Sequence, residues 1–273
     1  MSPSRYKKIA VASTFSPRFK QVMAEAKRIR DRFGAELSLI YVGERTEETT
    51  RKFKEAFAEL GLPADSIVHY GTGHPAEAIL EAASNVDLVI AGALEKEVVL
   101  RPFLGDVARR LVREAKCSVI LFTKPERDPK RLCRFVFVAD YSDHAQNALK
   151  QAFYLAAAES CERLYVVRVY TAFDEARAGL RSGAENGEPS MRAFEEEETK
   201  LEEFILGAGE TEVPIEAHCL RGNTGFAASD FVQSVEADLL VVPVPTDTTA
   251  ADKLPTNIAW ITDVIPCNLW VIR

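Results

Sequence analysis

The sequence predicts an α/β protein built from two doubly wound parallel sheets in tandem. Short β-rich runs alternate with longer segments of helical periodicity along the chain, a pattern typical of parallel sheets covered by helices on both faces. The same unit also occurs twice, because the apolar runs at 9–14 and 36–42 return in the same order at 135–140 and 163–169. Right-handed crossovers then give a doubly wound layer in each copy.

The predicted elements of the first copy follow one another without long gaps. They are a strand at 7–13, a helix ending at Gly34, a strand at 36–42, a helix at 46–60, a strand at 66–70, a helix to about 84, a strand at 87–91, a helix at about 104–115 and a strand at 118–122. Ser16-Pro17 predicts the start of the first helix, since serine is a good N-cap and proline fits the first helical position. Gly34 predicts its end.

The repeat also shows which positions correspond. Asp87 aligns with Asp238, and Cys117 aligns with Cys267. The offset between the copies is 126–127 residues in the first half of the unit and 150–151 in the second, so the second copy carries an insertion of about 24 residues. Both aspartates precede the fourth strand of their unit, where we expect them to have a structural role in a turn.

Domain boundaries follow from the repeat and from local composition. We predict a first domain at 1–124, a polar linker with two prolines at 125–131, and a second domain at 132–273. The insertion lies near 172–195, where glycines and a proline predict a loop. The acidic run Glu195–Glu198 predicts the start of a solvated helix, whose expected buried face is formed by Phe194, Leu201, Phe204 and Ile205.

Composition excludes several classes of function. The chain has 273 residues, 47% apolar and 27% charged, which suits two globular domains. The net charge of −7 argues against nucleic acid as a partner, since a binder of the phosphate backbone needs a positive face. We expect no membrane association, because the N-terminus has no apolar core of a secretory signal and no apolar stretch could span a bilayer. The cysteine usage predicts a reduced, cytoplasmic compartment. The five cysteines have no metal-ligand spacing.

In these features the chain resembles the universal stress protein family in its tandem form. The resemblance covers nearly all of both units and rests on a small polar loop after the first strand, Gly73-His-Pro75 before a helix, Asp87-Leu-Val-Ile-Ala-Gly92, and Cys117-Ser-Val-Ile-Leu121. It implies a five-stranded parallel sheet of order 3-2-1-4-5 in each domain. It also implies a possible ATP site, since some members bind ATP with an aspartate after strand one and a Gly-x2-Gly-x9-Gly-Ser/Thr motif after strand four.

The first copy keeps the frame of that motif and loses part of its chemistry. Gly92 and Gly105 stand at the first and third glycine positions, whereas Glu95 replaces the second glycine and Asp106 replaces the serine or threonine. Thr14 stands where the resemblance implies the aspartate. A carboxylate near a triphosphate repels it, so we expect weak ATP binding at most.

The second copy departs from the motif in a complementary way. Asp140 stands at the aspartate position, and Thr256 stands at the serine or threonine position. Pro243 and Pro255 align with Gly92 and Gly105, and proline removes the backbone N–H that would bind a phosphate.

The interpretation is therefore a non-catalytic regulatory or interaction protein with degenerate nucleotide clefts. The candidate binding residues are Gly92, Gly105, Val107, Val42, Asp140 and Thr256; none is catalytic and none is a metal ligand. The alternative is a nucleotide-binding protein with its site in the first domain, which would bind ATP with magnesium and could be a slow ATPase. A weaker alternative is a different small ligand in the altered cleft.

Three of the candidate residues also have a purely structural interpretation. Gly92 and Gly105 could be turn glycines, and Asp140 could be a capping or solvated carboxylate. As partners we expect the other domain of the same chain, a possible homodimer and an unidentified protein. The two domains are expected to pair through their last strands, 118–122 and 268–272, because apolar edge strands need cover.

Overall fold

The computed structural model describes residues 5–12, 14–63, 65–93, 104–171, 189–245, 259–262 and 265–273. The first unit contains β1 (Lys8–Ala12), α1 (Phe19–Phe33), β2 (Glu36–Val42), α2 (Glu47–Glu59), β3 (Val68–Gly71), α3 (Pro75–Ala82), β4 (Leu88–Gly92), α4 (Asp106–Glu114) and β5 (Ser118–Phe122). The second contains β6 (Arg134–Val138), α5 (Asp143–Ala158), β7 (Arg163–Tyr170), α6 (Pro189–Ala208), β8 (Ile215–Arg221), α7 (Thr224–Ser234), β9 (Leu239–Pro243) and β10 (Asn268–Ile272).

The sheet has the topology that the sequence and the family resemblance imply. The strand order is β3-β2-β1-β4-β5 in the first unit and β8-β7-β6-β9-β10 in the second, and every pairing inside a unit is parallel. The predicted fold class is therefore confirmed. β5 and β10 pair with each other in antiparallel orientation, so the ten strands form one continuous sheet. The prediction that the last strands face each other is also confirmed.

Helices cover both faces of this sheet and bury two apolar layers. One layer lies between the sheet and α1, α2, α5 and α6; the other lies between the sheet and α3, α4 and α7. The helix after β1 and the helix after β4 are thus on opposite faces. Because the chain continues to opposite faces of the sheet after these two neighbouring strands, we expect a crevice at their carboxyl ends.

The start of α1 differs from the prediction. The helix begins at Phe19 with Arg18 as its N-cap, while Ser16 lies in a preceding turn where its carbonyl accepts the N–H of Phe19 at 3.0 Å. The sequence predicts that the Ser16 side chain caps the helix, whereas in the structure the Ser16 carbonyl closes a turn before the helix. The predicted end is confirmed, because Gly34 is the left-handed C-cap with a φ of 62°.

The acidic run of the second unit also lies elsewhere than predicted. α6 begins at Pro189, so the run Glu195–Glu198 falls inside the helix rather than at its start. Leu201 and Phe204 are buried as expected. Glu197 is buried as well, because its carboxylate forms an ion pair with Arg168 at 3.1 Å.

The two equivalent aspartates perform the same structural task in both units. One carboxylate oxygen of Asp87 accepts the backbone N–H groups of Lys7 and Lys8 at 2.8 and 2.9 Å. Asp238 accepts those of the corresponding residues 133 and 134 at 2.7 and 2.9 Å. Each aspartate thus ties the entrance of the fourth strand to the start of the first, as the structural interpretation expected.

None of the described helices is long and apolar enough to cross a bilayer.

Candidate functional site

The first cleft lies at the carboxyl ends of β1, β2 and β4. The end of β4 is fixed by the backbone, since the Ala93 N–H donates to the Phe122 carbonyl at 2.9 Å. The N–H of Gly105 in turn donates to the carbonyl of Ala93 at 3.1 Å. These two bonds hold the start of α4 directly beside Gly92, the last residue of β4. The structure therefore brings the two predicted glycines together.

The amino end of α4 carries a carboxylate at its first residue. Gly105 is the N-cap and has no side chain that could accept from the helix, so the first amides of α4 are not capped by that residue. Asp106 is the first helical residue and is exposed. A helix N-terminus attracts negative charge, and here Asp106 already supplies one.

The two valines among the candidates are half-buried at the same edge of the sheet. Val107 packs against the apolar layer under α4, and Val42 packs against the same layer at the end of β2. β1 separates β2 from β4, which places Val42 and Gly92 roughly 10 Å apart across the sheet. They form opposite sides of one crevice rather than a single contact.

Neither cleft glycine has a positive φ that would demand a glycine. Among the described residues, a Cβ on Gly92 would meet Val22 Cγ2 at 3.4 Å, and Gly105 has a φ of −60° that any residue can adopt. Gly71 is different, because a Cβ there would lie 2.8 Å from the Cβ of Ala78. Thr14 lies after β1, and its carbonyl accepts the N–H of Ser16 at 2.7 Å. Glu95 falls outside the described residues.

In the second cleft, the predicted aspartate is bound within its own loop. The same carboxylate oxygen of Asp140 accepts the Ser142 N–H at 2.9 Å and the Ser142 hydroxyl at 2.6 Å. Ser142 is the N-cap of α5, and its Oγ accepts the N–H of Ala145 at 3.0 Å. Asp140 therefore orients a helix cap, as its structural interpretation proposed.

The end of β9 repeats the geometry of β4 with a different residue. The N–H of Val244 donates to the Ile272 carbonyl at 2.8 Å, as Ala93 does to Phe122. Pro243, the last residue of β9, occupies the place of Gly92. Thr256 and Pro255 lie outside the described residues.

A polar cluster beside the second cleft was not predicted. The Tyr141 hydroxyl donates to the Glu197 carbonyl at 3.3 Å, and the Arg168 guanidinium lies 5.0 Å from the centre of the Tyr141 ring. Burial and the nearby Glu197 carboxylate raise the pKa of Tyr141 well above its ordinary value. The cluster depends on α6, so only a correct placement of the insertion could have revealed it.

The thiols and possible metal ligands do not suggest a reactive centre. Burial raises the pKa of Cys117 to about 11 and that of Cys267 to about 12, and the thiolate is the reactive form of cysteine. In the part of the chain that the structure describes, no group of three His, Cys, Asp or Glu side chains could hold a metal ion.

Comparison with protein families gives a match in each half of the chain. The model of the universal stress protein family matches residues 43–123 and 133–254, which is more than half of the chain. Among curated proteins, the chain is similar to the universal stress protein MJ0531 of Methanocaldococcus jannaschii. The two are 27% identical over 147 residues, covering 45% of this chain and 85% of that protein.

Some solved structures resemble the whole chain. A universal stress protein from Archaeoglobus fulgidus matches with a TM-score of 0.68 and 14% identity, covering 99% of both chains. PA1789 from Pseudomonas aeruginosa, described as functionally unknown, matches with a TM-score of 0.71 and 13% identity, covering 98% of this chain and 92% of that one. At such identities the likeness concerns the fold.

Proposed function

Because the chain belongs to the universal stress protein family, we propose that it acts as a non-catalytic regulatory or interaction protein in which neither cleft binds ATP with magnesium tightly. One observation carries the proposal: the two domains divide the features of a nucleotide site between them. The first cleft has Gly92 and Gly105 without the aspartate, and the second has Asp140 without the glycines.

In the first cleft the obstacle is negative charge. Asp106 is the first residue of α4, where a phosphate would bind to helix amides, and the sequence places Glu95 between β4 and α4. Two unit charges about 4 Å apart interact by roughly 1 kcal/mol in water and about 4 kcal/mol at an effective dielectric near 20. Two carboxylates could thus offset most of a micromolar affinity, which corresponds to about 8 kcal/mol.

In the second cleft the aspartate has a structural task and a backbone donor is missing. One carboxylate oxygen of Asp140 accepts both the N–H and the hydroxyl of Ser142, at 2.9 and 2.6 Å, so a ribose contact would rely on the other oxygen. Pro243 offers no N–H at the end of β9. Both features support a cleft that does not hold a nucleotide.

A second candidate function is nucleotide binding in the first cleft. It is favoured by Gly92, where the described residues leave room for a Cβ, and by Gly105, whose φ of −60° does not demand a glycine. An open groove of about 490 Å³ at the start of α2 also carries Arg45, Arg51 and Lys54 against a single acid, Glu47. Such a groove could attract an anionic ligand toward this edge.

Native mass spectrometry of the protein purified from its own cells tests the proposal. We expect the bare mass of the chain in buffer conditions that preserve non-covalent complexes. A phosphate-release assay with ATP and magnesium should show no turnover above that of the buffer. A retained adenine nucleotide in stoichiometric amount would overturn the proposal in favour of the second candidate.

A further inference from the structure

The interface between the two domains has the symmetry of a dimer made from one repeated surface. Ile120 of β5 pairs directly with Trp270 of β10, and these two residues are equivalent in the repeat. The flanking bonds match as well. The N–H of Thr123 donates to the Asn268 side chain at 2.9 Å, and that of the equivalent Arg273 donates to the Ser118 hydroxyl at 3.1 Å. Such an isologous surface could in principle pair with a copy of itself.

The repeat relates the two domains by a pseudo-twofold axis at the Ile120–Trp270 pair. On one side of this axis the contact is a buried ion pair. Arg28 of α1 donates to the carboxylate of Glu159, the C-cap of α5, and Arg32 Nε lies 3.4 Å from the same oxygen. Glu159 is 1% exposed, and its second oxygen accepts the Leu132 N–H at 3.2 Å. A buried carboxylate of this kind needs its cationic partners.

On the opposite side the equivalent positions form an aromatic stack. Offset by 126 residues, Arg28 corresponds to Tyr154 and Glu159 corresponds to Phe33. The rings of Phe33 and Tyr154 lie 5.8 Å apart with an interplanar angle of 17°. One pair of positions is thus filled by charges on one side and by aromatic rings on the other.

At the centre of the interface, equivalent positions of the two domains also carry different side chains. Trp270 is fully buried, and its ring lies 5.9 Å from the rings of both Tyr6 and Phe33. The residues that correspond to Tyr6 and Phe33 in the second domain are Leu132 and Glu159. A second copy of the second domain would therefore place Glu159 where Trp270 now meets Phe33.

We propose that the last-strand face of each domain fits the other domain and rejects a copy of itself. Two first domains would oppose Arg28 to Phe33 twice. Two second domains would oppose Tyr154 to Glu159 twice and would remove both arginines from a buried carboxylate. Only the mixed pair gives one ion pair and one stack. The partner that this surface recognises is thus the other domain of the chain. Each pair of domains therefore contains one first cleft and one second cleft.

Single substitutions in the intact chain reproduce both mismatches. Arg28→Tyr places a tyrosine against Glu159, as in a pair of second domains. Glu159→Phe places a phenylalanine against Arg28, as in a pair of first domains. The double variant Arg28→Tyr/Glu159→Phe repeats the aromatic pair of the opposite side. We expect Arg28→Tyr to lower the urea midpoint by about 1 M, because it leaves a buried carboxylate short of a partner.

The double variant decides the outcome. Glu159→Phe should lower the midpoint less, since Arg28 keeps its second partner Glu25 at 2.7 Å. The double variant should regain at least half of the summed loss. If a single variant fails to fold, the double variant should still fold. Additive losses, or single variants as stable as the wild type, would overturn the proposal.

The exposed pair of Arg131 and Glu162 is the matched control. These side chains lie 3.1 Å apart and are 51% and 57% exposed. Arg131→Tyr, Glu162→Phe and their combination should change the midpoint little and additively, because an exposed ion pair contributes little.

A direct readout uses the whole chain with a protease site inserted after the exposed Asp128 in the linker. Isotopically heavy and light chains are cut, mixed, unfolded in urea and refolded, and the pairs are counted by native mass spectrometry. Mixed pairs should exceed like pairs by more than about a hundredfold, since an unpaired buried charge costs several kcal/mol and 1.4 kcal/mol is tenfold. A statistical mixture of like and mixed pairs would contradict the proposal.

Discussion

The ends of β4 and β9, which border the first and second clefts, have the same backbone hydrogen bonding and differ in the residue that stands there. In each, the residue after the fourth strand donates its N–H to the last strand, at 2.9 Å from Ala93 and 2.8 Å from Val244. Yet the preceding residue is Gly92 in one cleft and Pro243 in the other. The same hydrogen bond to the last strand thus forms at both strand ends, although the residue that precedes it differs.

Structural positions of the repeat behave in the opposite way. Asp87 and Asp238 make the same pair of hydrogen bonds in both domains. At the interface, equivalent positions differ but do so in matched pairs, as with Arg28 and Glu159 against Tyr154 and Phe33. The two domains thus keep the same residue where the fold depends on it. At their interface, equivalent positions carry different side chains that complement each other.

The largest expected difference between the halves is at the centre of the interface. Trp270→Ala should lower the free energy of unfolding by about 3–5 kcal/mol, because it removes a fully buried ring. The equivalent Ile120→Ala should cost about 2–5 kcal/mol and less than Trp270→Ala. Urea unfolding followed by circular dichroism measures both. An equal or larger loss for Ile120→Ala would show that Trp270 is not the main interface anchor.

The next effect should be similar in the two domains. Asp87→Ala and Asp238→Ala should each cost roughly 1–3 kcal/mol, since each removes two hydrogen bonds to a charged acceptor. Asp238 is less exposed than Asp87 and should be at the upper end. Asp106→Ala, at an exposed helix start, serves as the control in the same urea titration and should cost less. If only one of the two substitutions lowered the free energy of unfolding, the two aspartates would not have equivalent roles in the two domains.

A smaller effect concerns Glu25, whose counterpart in the second domain is Gln151. Burial raises the pKa of Glu25, although Arg28 opposes this shift. A carboxyl with a raised folded-state pKa favours folding at low pH, and this contribution is lost as pH rises through that pKa. Glu25→Gln should therefore gain stability relative to the wild type as pH rises above about 4.3, the ordinary glutamate pKa.

Glu114→Gln is the control for this pH dependence. Its hydrogen bond with Arg110, at 2.8 Å, lowers the pKa of Glu114. That carboxylate stabilises the fold above its unfolded-state pKa and loses this effect as pH falls, so the variant should lose stability relative to the wild type as pH rises. Urea titrations between pH 3 and pH 8 compare the two; parallel curves for both variants would refute the assignment.

The strands were predictable because the repeat aligned each apolar run with its twin. Strand 118–122 was predicted at its observed limits, and the pairing of the last strands followed from their apolar edges. The start of α1 was not predictable from the residue type alone, since Ser16 can serve either a cap or a turn. Contacts between distant segments were invisible. Arg28 and Glu159 are 131 residues apart, and no local pattern relates them.

The candidate site was predictable as a set of positions rather than as chemistry. The N–H of Gly105 donates to the carbonyl of Ala93, the residue after Gly92, while the role of both glycines in binding a ligand stays a prediction. The hydrogen bonds of Asp140 to Ser142 could be anticipated only as a structural alternative, because an aspartate two residues before a cap fits either role. Tyr141 and its partners depend on the position of α6, which the sequence placed too late.

The central claim is that side chains, not the backbone frame, keep ATP out of the first cleft. Calorimetric titration with ATP and magnesium of the variant Glu95→Gly/Asp106→Ser tests it, and Thr14→Asp is then added. The wild type should give no measurable heat of binding, the double variant should bind, and the triple variant should bind more tightly. Asp143→Ser, which removes the first-turn acid of α5 in the other domain, should remain silent. Micromolar binding by the wild type, or a folded triple variant that gains nothing, would contradict the account.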